Sequence, residues 1–111
     1  MSRKMKKFKH SESGDRGWFI GNFPQAVIQS EHFEACWQAN PAGKKDTPHY
    51  HSKITEIQLV TKGRMIINDV EFGVGDICVL DPGDHYYAEY LEDTEVFAIK
   101  TPSVPGDKYY I

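Results

Sequence analysis

Along most of the chain, apolar and polar residues exchange places every one or two positions rather than every three or four. The run Phe33-Glu-Ala-Cys-Trp-Gln-Ala39 alternates, with Phe33, Ala35, Trp37 and Ala39 on one face. Short strands of the same kind are expected over residues 56–61, 64–67, 70–72, 77–80, 86–90 and 95–100. Turn residues separate them: Asn40-Pro41-Ala42-Gly43, Gly73-Val74-Gly75-Asp76, Asp81-Pro82-Gly83-Asp84 and Glu92-Asp93. Asn68-Asp69 is a two-residue hairpin signal, because both residues tolerate positive φ. No sustained 3.6-residue apolar period occurs, and Ala26-Val27-Ile28-Gln29, the nearest candidate, is too short for a helix. Many short strands punctuated by Gly and Pro predict an all-β fold, an antiparallel sandwich or barrel.

Composition narrows this without changing it. A chain of 111 residues is one domain with a modest core. No apolar run is long enough to span a bilayer, so membrane association is not expected. The basic start, Arg3, Lys4, Lys6, Lys7 and Lys9, is not followed by the apolar stretch of a signal peptide, and a cytoplasmic location is expected. These five are part of thirteen basic residues, leaving eight against sixteen acidic side chains in the remainder. Such an acidic body would repel a phosphate backbone, which argues against nucleic-acid binding. A flexible basic tail over residues 1–12 and a single domain over 13–111 are expected. Cys36 and Cys78 lie in apolar runs without a CxxC motif and are read as buried free thiols.

Candidate chemistry is concentrated at His49-Tyr50-His51 and Glu56. Residues i and i+2 of a strand share a face, so the two imidazoles can converge, and a turn at Ser52-Lys53-Ile54 can return Glu56 beside them. Two imidazoles and a carboxylate suit a divalent ion such as Zn, Fe, Mn or Ni, and nothing soft argues for copper(I). The competing reading makes them ordinary strand residues, with Glu56 and Gln58 on a solvent face. Tyr50, Tyr86, Tyr87 and Tyr90 form a second group, either strand formers or an aromatic mouth for a sugar ring or base. Glu56, Tyr86 and Tyr87 are the candidates for acid–base chemistry.

The spacing G-x5-H-x-H-x4-E-x6-G, filled by Gly43, His49, His51, Glu56 and Gly63, resembles the first sequence motif of the cupins. The resemblance covers roughly residues 33–100 and implies an antiparallel jelly-roll β-barrel with a ligand site in its mouth. It also implies a metal held by His49, His51 and Glu56. The second cupin motif, G-x5-P-x-G-x2-H-x3-N, is kept only at Gly75 and Gly83; Asp81, Tyr86 and Tyr90 stand at its other places. His85 lies one residue before the place of the fourth ligand. Either a deletion is absorbed by the turn and His85 points inward, or strand parity holds and Tyr86 points inward with Ala88 and Tyr90. The first alternative is preferred because it completes the ligand set.

Residues 18–23 and 101–109 are also similar to segments of small cupins that accompany sugar-nucleotide or surface-polysaccharide biosynthesis. That similarity implies a small-molecule ligand, a sugar or sugar nucleotide. Three activities are compatible with it: a metal-binding cupin, a metal-free epimerase or ketoisomerase using a histidine base and a tyrosine acid, and a non-catalytic binding module. Exposed edge strands, and the habit of cupins, lead us to expect a homodimer.

Overall fold

The computed structural model describes residues 4–111, so Arg3 of the basic tail lies outside it. The strands are β1 (Trp18–Gly21), β2 (Ile28–Gln29), β3 (Glu34–Asn40), β4 (His49–Tyr50), β5 (Thr55–Lys62), β6 (Arg64–Ile67), β7 (Val70–Gly73), β8 (Ile77–Leu80), β9 (Ala88–Tyr90), β10 (Thr94–Thr101) and β11 (Tyr109–Tyr110). They form a six-stranded sheet in the order β2-β1-β3-β10-β5-β8, a three-stranded sheet β7-β6-β9 and a pair β11-β4. Apart from the parallel β1–β2 contact, neighbours run antiparallel. Among the described residues no helix is long and apolar enough to cross a membrane.

The expected hairpin is present. Asn68 and Asp69 adopt φ of 48° and 66°, and Ile67 pairs with Val70 across a two-residue loop. Residues 26–29, the nearest thing to a helical pattern, contain β2. Within the segment 1–12, the His10 ring nitrogen lies 3.0 Å from the Gly17 carbonyl and its ring packs edge-on against Phe19 and Trp37.

Alternation places the core. Val60, Met65, Ile67, Cys78, Leu80, Tyr86, Ala88, Tyr90 and Val96 form one buried cluster, with Phe72 packed against it. On β5 the buried positions are Glu56, Gln58 and Val60, so the polar face of this strand is the interior. Register explains why. Glu56 lies opposite Lys100 and Leu80, Gln58 opposite Ala98 and Cys78, and paired residues of adjacent strands share a face. On β3 the face in this register runs through Glu34 and Cys36, while Phe33 and Trp37 remain partly exposed.

Gly63 and Gly43 frame the histidine segment for different reasons. Both have positive φ, 82° and 87°. A Cβ at Gly63 would run into the Asp93 carbonyl and lie 2.7 Å from Thr94 Oγ1, whereas one at Gly43 would meet nothing within 4 Å. Gly43→Ala should therefore cost about 1–2 kcal/mol of backbone strain, and Gly63→Ala clearly more. Equal midpoints for the two variants in urea unfolding would contradict this account.

Candidate functional site

His49 is fixed from both sides. Its backbone exchanges two hydrogen bonds with Tyr86, of 3.1 and 2.8 Å, and it pairs with Tyr110 on β11. Its Nδ1–H donates to the Thr47 carbonyl at 2.8 Å, which leaves the Nε2 lone pair free. Burial lowers its pKa, and so do Lys108 and Lys100, against the opposing Thr47 bond and Asp46. His51 is buried, and burial with the charges of Lys100 and His49 pushes its pKa down to about 4. Both imidazoles are therefore neutral at pH 7. The rings of His49 and His51 meet edge-on at 5.3 Å.

Glu56 is buried beside them. Its Oε1 lies 3.8 Å from His51 Nδ1, and its Oε2 accepts a 2.8 Å hydrogen bond from Gln58. With His51 neutral, the Glu56–His51 contact is not an ion pair. Desolvation pushes the Glu56 pKa up, opposed by Lys100 and by the Gln58 bond. His51 Nε2 is buried without a hydrogen-bond partner among the described residues.

A cavity of about 620 Å³ opens over this cluster, with His49, Glu56, Gln58, Tyr86 and Tyr90 on its wall. Tyr86 and Tyr90 both donate to Asp46 Oδ2, at 3.2 and 2.9 Å. Burial raises the pKa of both phenols, so they remain protonated donors.

The structure thus brings His49, His51 and Glu56 together and leaves His85 outside, correcting the inward placement preferred from sequence. The His49–Tyr86 bridge fixes strand parity, which turns Tyr86, Ala88 and Tyr90 inward. Asn68 clamps the opposite parity: its Nδ2 donates to the His85 carbonyl at 2.7 Å and its Oδ1 accepts from Tyr87 N–H at 2.9 Å. His85 is exposed and stacks on Tyr50. Tyr87 also faces out, donating to Asp69 at 2.8 Å. Cys36 and Cys78 are free and buried, as expected, and burial raises the Cys36 thiol to about 12.

Three site residues were not anticipated. Gln58 carried a signal, since it follows Glu56 at period two. Asp46 lies in a loop, and Lys100 comes from a distant strand whose register is not readable locally.

The strand arrangement has counterparts among solved structures. A double-stranded β-helix protein from Klebsiella pneumoniae superposes with a TM-score of 0.70 at 14% identity, covering 99% of this chain and 98% of its own. The chain adopts the cupin fold. KdgF from Halomonas matches this chain with a TM-score of 0.65 and 23% identity over 70% of this chain and 77% of that one. A sugar phosphate isomerase of the cupin superfamily from Silicibacter pomeroyi matches at 0.59 and 21%, over 72% of this chain and 57% of its own. No protein-family model and no curated protein matches the sequence.

The donor set can be weighed against a metal. Neutral imidazoles, a buried carboxylate and an orphaned His51 Nε2 are chemically suited to a divalent ion. Among the described residues no three His, Cys, Asp or Glu side chains already stand in a coordinating arrangement. Seating an ion would therefore require the side chains to rotate toward one another.

Proposed function

We propose that the protein is a small-molecule-binding cupin that takes its ligand in the barrel cavity and holds a divalent metal on His49, His51 and Glu56. The observation that carries the metal is the buried, unpartnered Nε2 of His51, since an unsatisfied buried nitrogen costs about 1–3 kcal/mol unless something binds it. When bound, the ion would supply Lewis-acid polarisation of a ligand oxygen. The chain's own residues orient that ligand. Tyr86 and Tyr90 are held by Asp46, Gln58 steadies Glu56, and the Thr47 carbonyl sets the His49 tautomer. The sugar-related names among the structural counterparts support a polar, sugar-like ligand.

The experiment is metal analysis after equilibration with Zn²⁺, Mn²⁺, Fe²⁺ and Ni²⁺ in turn. About one equivalent of at least one metal is expected, falling at least about tenfold in affinity in His51→Ala. Less than about a tenth of an equivalent of every metal, unchanged in the variant, would remove the ion from this account.

A metal-free reading has its own support. Tyr86 stands where a fourth ligand would, with its ring 5.2 Å from that of His49 and its hydroxyl on Asp46. His49 Nε2 could then take a proton and Tyr86 return one, as an epimerase or ketoisomerase requires. Deuterium uptake from solvent into a keto-sugar by metal-stripped protein, lost in Tyr86→Phe, would establish it; a bound ligand recovered unlabelled would count for binding alone.

A further inference from the structure

We propose that the cavity selects an anionic small molecule, one bearing a carboxylate or phosphate group, through Lys100 and Lys108. The inference rests on the reading that this cavity is the ligand site and does not depend on the metal.

The charges on the wall oppose those of the chain as a whole. The protein carries a net charge of −3, yet Arg16, Lys44, Lys45, Lys100 and Lys108 line the cavity against only Asp46 and Glu56 among the acids. Neither acid balances them. Asp46 is already engaged by both tyrosine hydroxyls and lies 3.8 Å from Lys44 Nζ. Glu56 is buried and accepts its hydrogen bond from Gln58.

Of these cations Lys45, Lys100 and Lys108 form no ion pair among the described residues, and of these three Lys100 and Lys108 lie over aromatic rings. Lys100 is in register with Glu56 on the inward face of β10 and lines the cavity. Its Nζ lies 4.4 Å over the ring of Trp18, and Lys108 Nζ lies 5.3 Å over that of Tyr110. Among the described residues neither lysine forms an ion pair. An aromatic face steadies an ammonium while leaving its N–H donors available. A concave, partly dry wall focuses such a field and gives an anion charge-assisted hydrogen bonds.

Trp18 and Trp37 lie on the same wall and report binding by fluorescence. The full chain would be titrated at low salt with inorganic phosphate, glucuronate, glucose 6-phosphate and neutral glucose. At least one anion should bind about tenfold or more tightly than glucose, and comparison of phosphate with glucuronate shows which acid group is read. The double variant Lys100→Gln/Lys108→Gln should lose about tenfold or more, while Lys100→Arg retains most of the affinity. Circular dichroism confirms that each variant is folded. Anion binding unchanged in the folded double variant overturns the proposal. Glucose binding as tightly as the anions, and weakened by Gln58→Ala, also overturns it while leaving the cavity as the ligand site. No fluorescence response to any of the four probes overturns both readings.

Discussion

Asp107→Ala is expected to destabilise the protein by about 2–4 kcal/mol and to weaken whatever the histidine cluster binds. The Asp107 carboxylate accepts hydrogen bonds from the Ser52 N–H at 3.0 Å, the Ser52 hydroxyl at 2.6 Å and the Lys53 N–H at 2.8 Å. These tie the turn that follows His51 to the segment leading into β11, so one side chain fastens both ends of the site. Desolvation would raise its pKa, but these bonds, with one from Ile54 N–H, outweigh it and hold the group at about 2. A carboxyl depressed in the folded state stabilises above its unfolded pKa and loses that contribution as pH falls through the folded value. The Asp107 share of stability should therefore be nearly complete above about pH 4, shrink as the pH falls through the interval to about 2, and vanish only below it. Urea unfolding of wild type and Asp107→Asn across that interval measures it. The gap between them should narrow as the solution is acidified; a constant gap would refute the assignment.

Met65→Ala is expected to cost about 2–5 kcal/mol, a large part of the roughly 5–15 kcal/mol available to a domain of this size. Met65 is fully buried on β6, in the cluster that includes Val60, Ile67, Leu80 and Val96. Truncation removes its transfer free energy and leaves a void between the two sheets. Thermal unfolding should begin roughly 10 °C or more lower. Val79→Ala, at a position 55% exposed on β8, should change stability by less than about 0.5 kcal/mol. Comparable losses for the two would mean that the core is not where burial puts it.

The strands and their turns were legible because alternation and turn chemistry are local signals. The hairpin at Asn68-Asp69 shows this, since residue type, φ and pairing agree. His49 and His51 were legible as a pair because two-residue spacing fixes their common face. The side of the barrel to which Glu56 belongs was not legible. Its strand reads equally well with Glu56 and Gln58 toward solvent, and only the opposing Lys100, Ala98 and Cys78 show that the polar side is the inside. His85 exposes the same limit at single-residue resolution. A motif aligned by residue identity favours His85, whereas the ladder to His49 enforces Tyr86. The pairing of the C-terminal β11 with β4 of the same chain was not legible either, since it joins segments far apart in sequence.

The inverted face of β5 has an evolutionary consequence. Two residues along the strand from Gln58, the next inward position is Val60, opposite Val96. Buried polar side chains on the cavity wall and apolar packing thus occupy successive rungs of one ladder rather than separate regions of the molecule. Exchanging side chains on the rungs of Glu56 and Gln58 would reshape the cavity wall while the rung of Val60 continues to hold the sheets together. A barrel so divided can acquire new specificity by drift at a few positions without first passing through an unfolded ancestor.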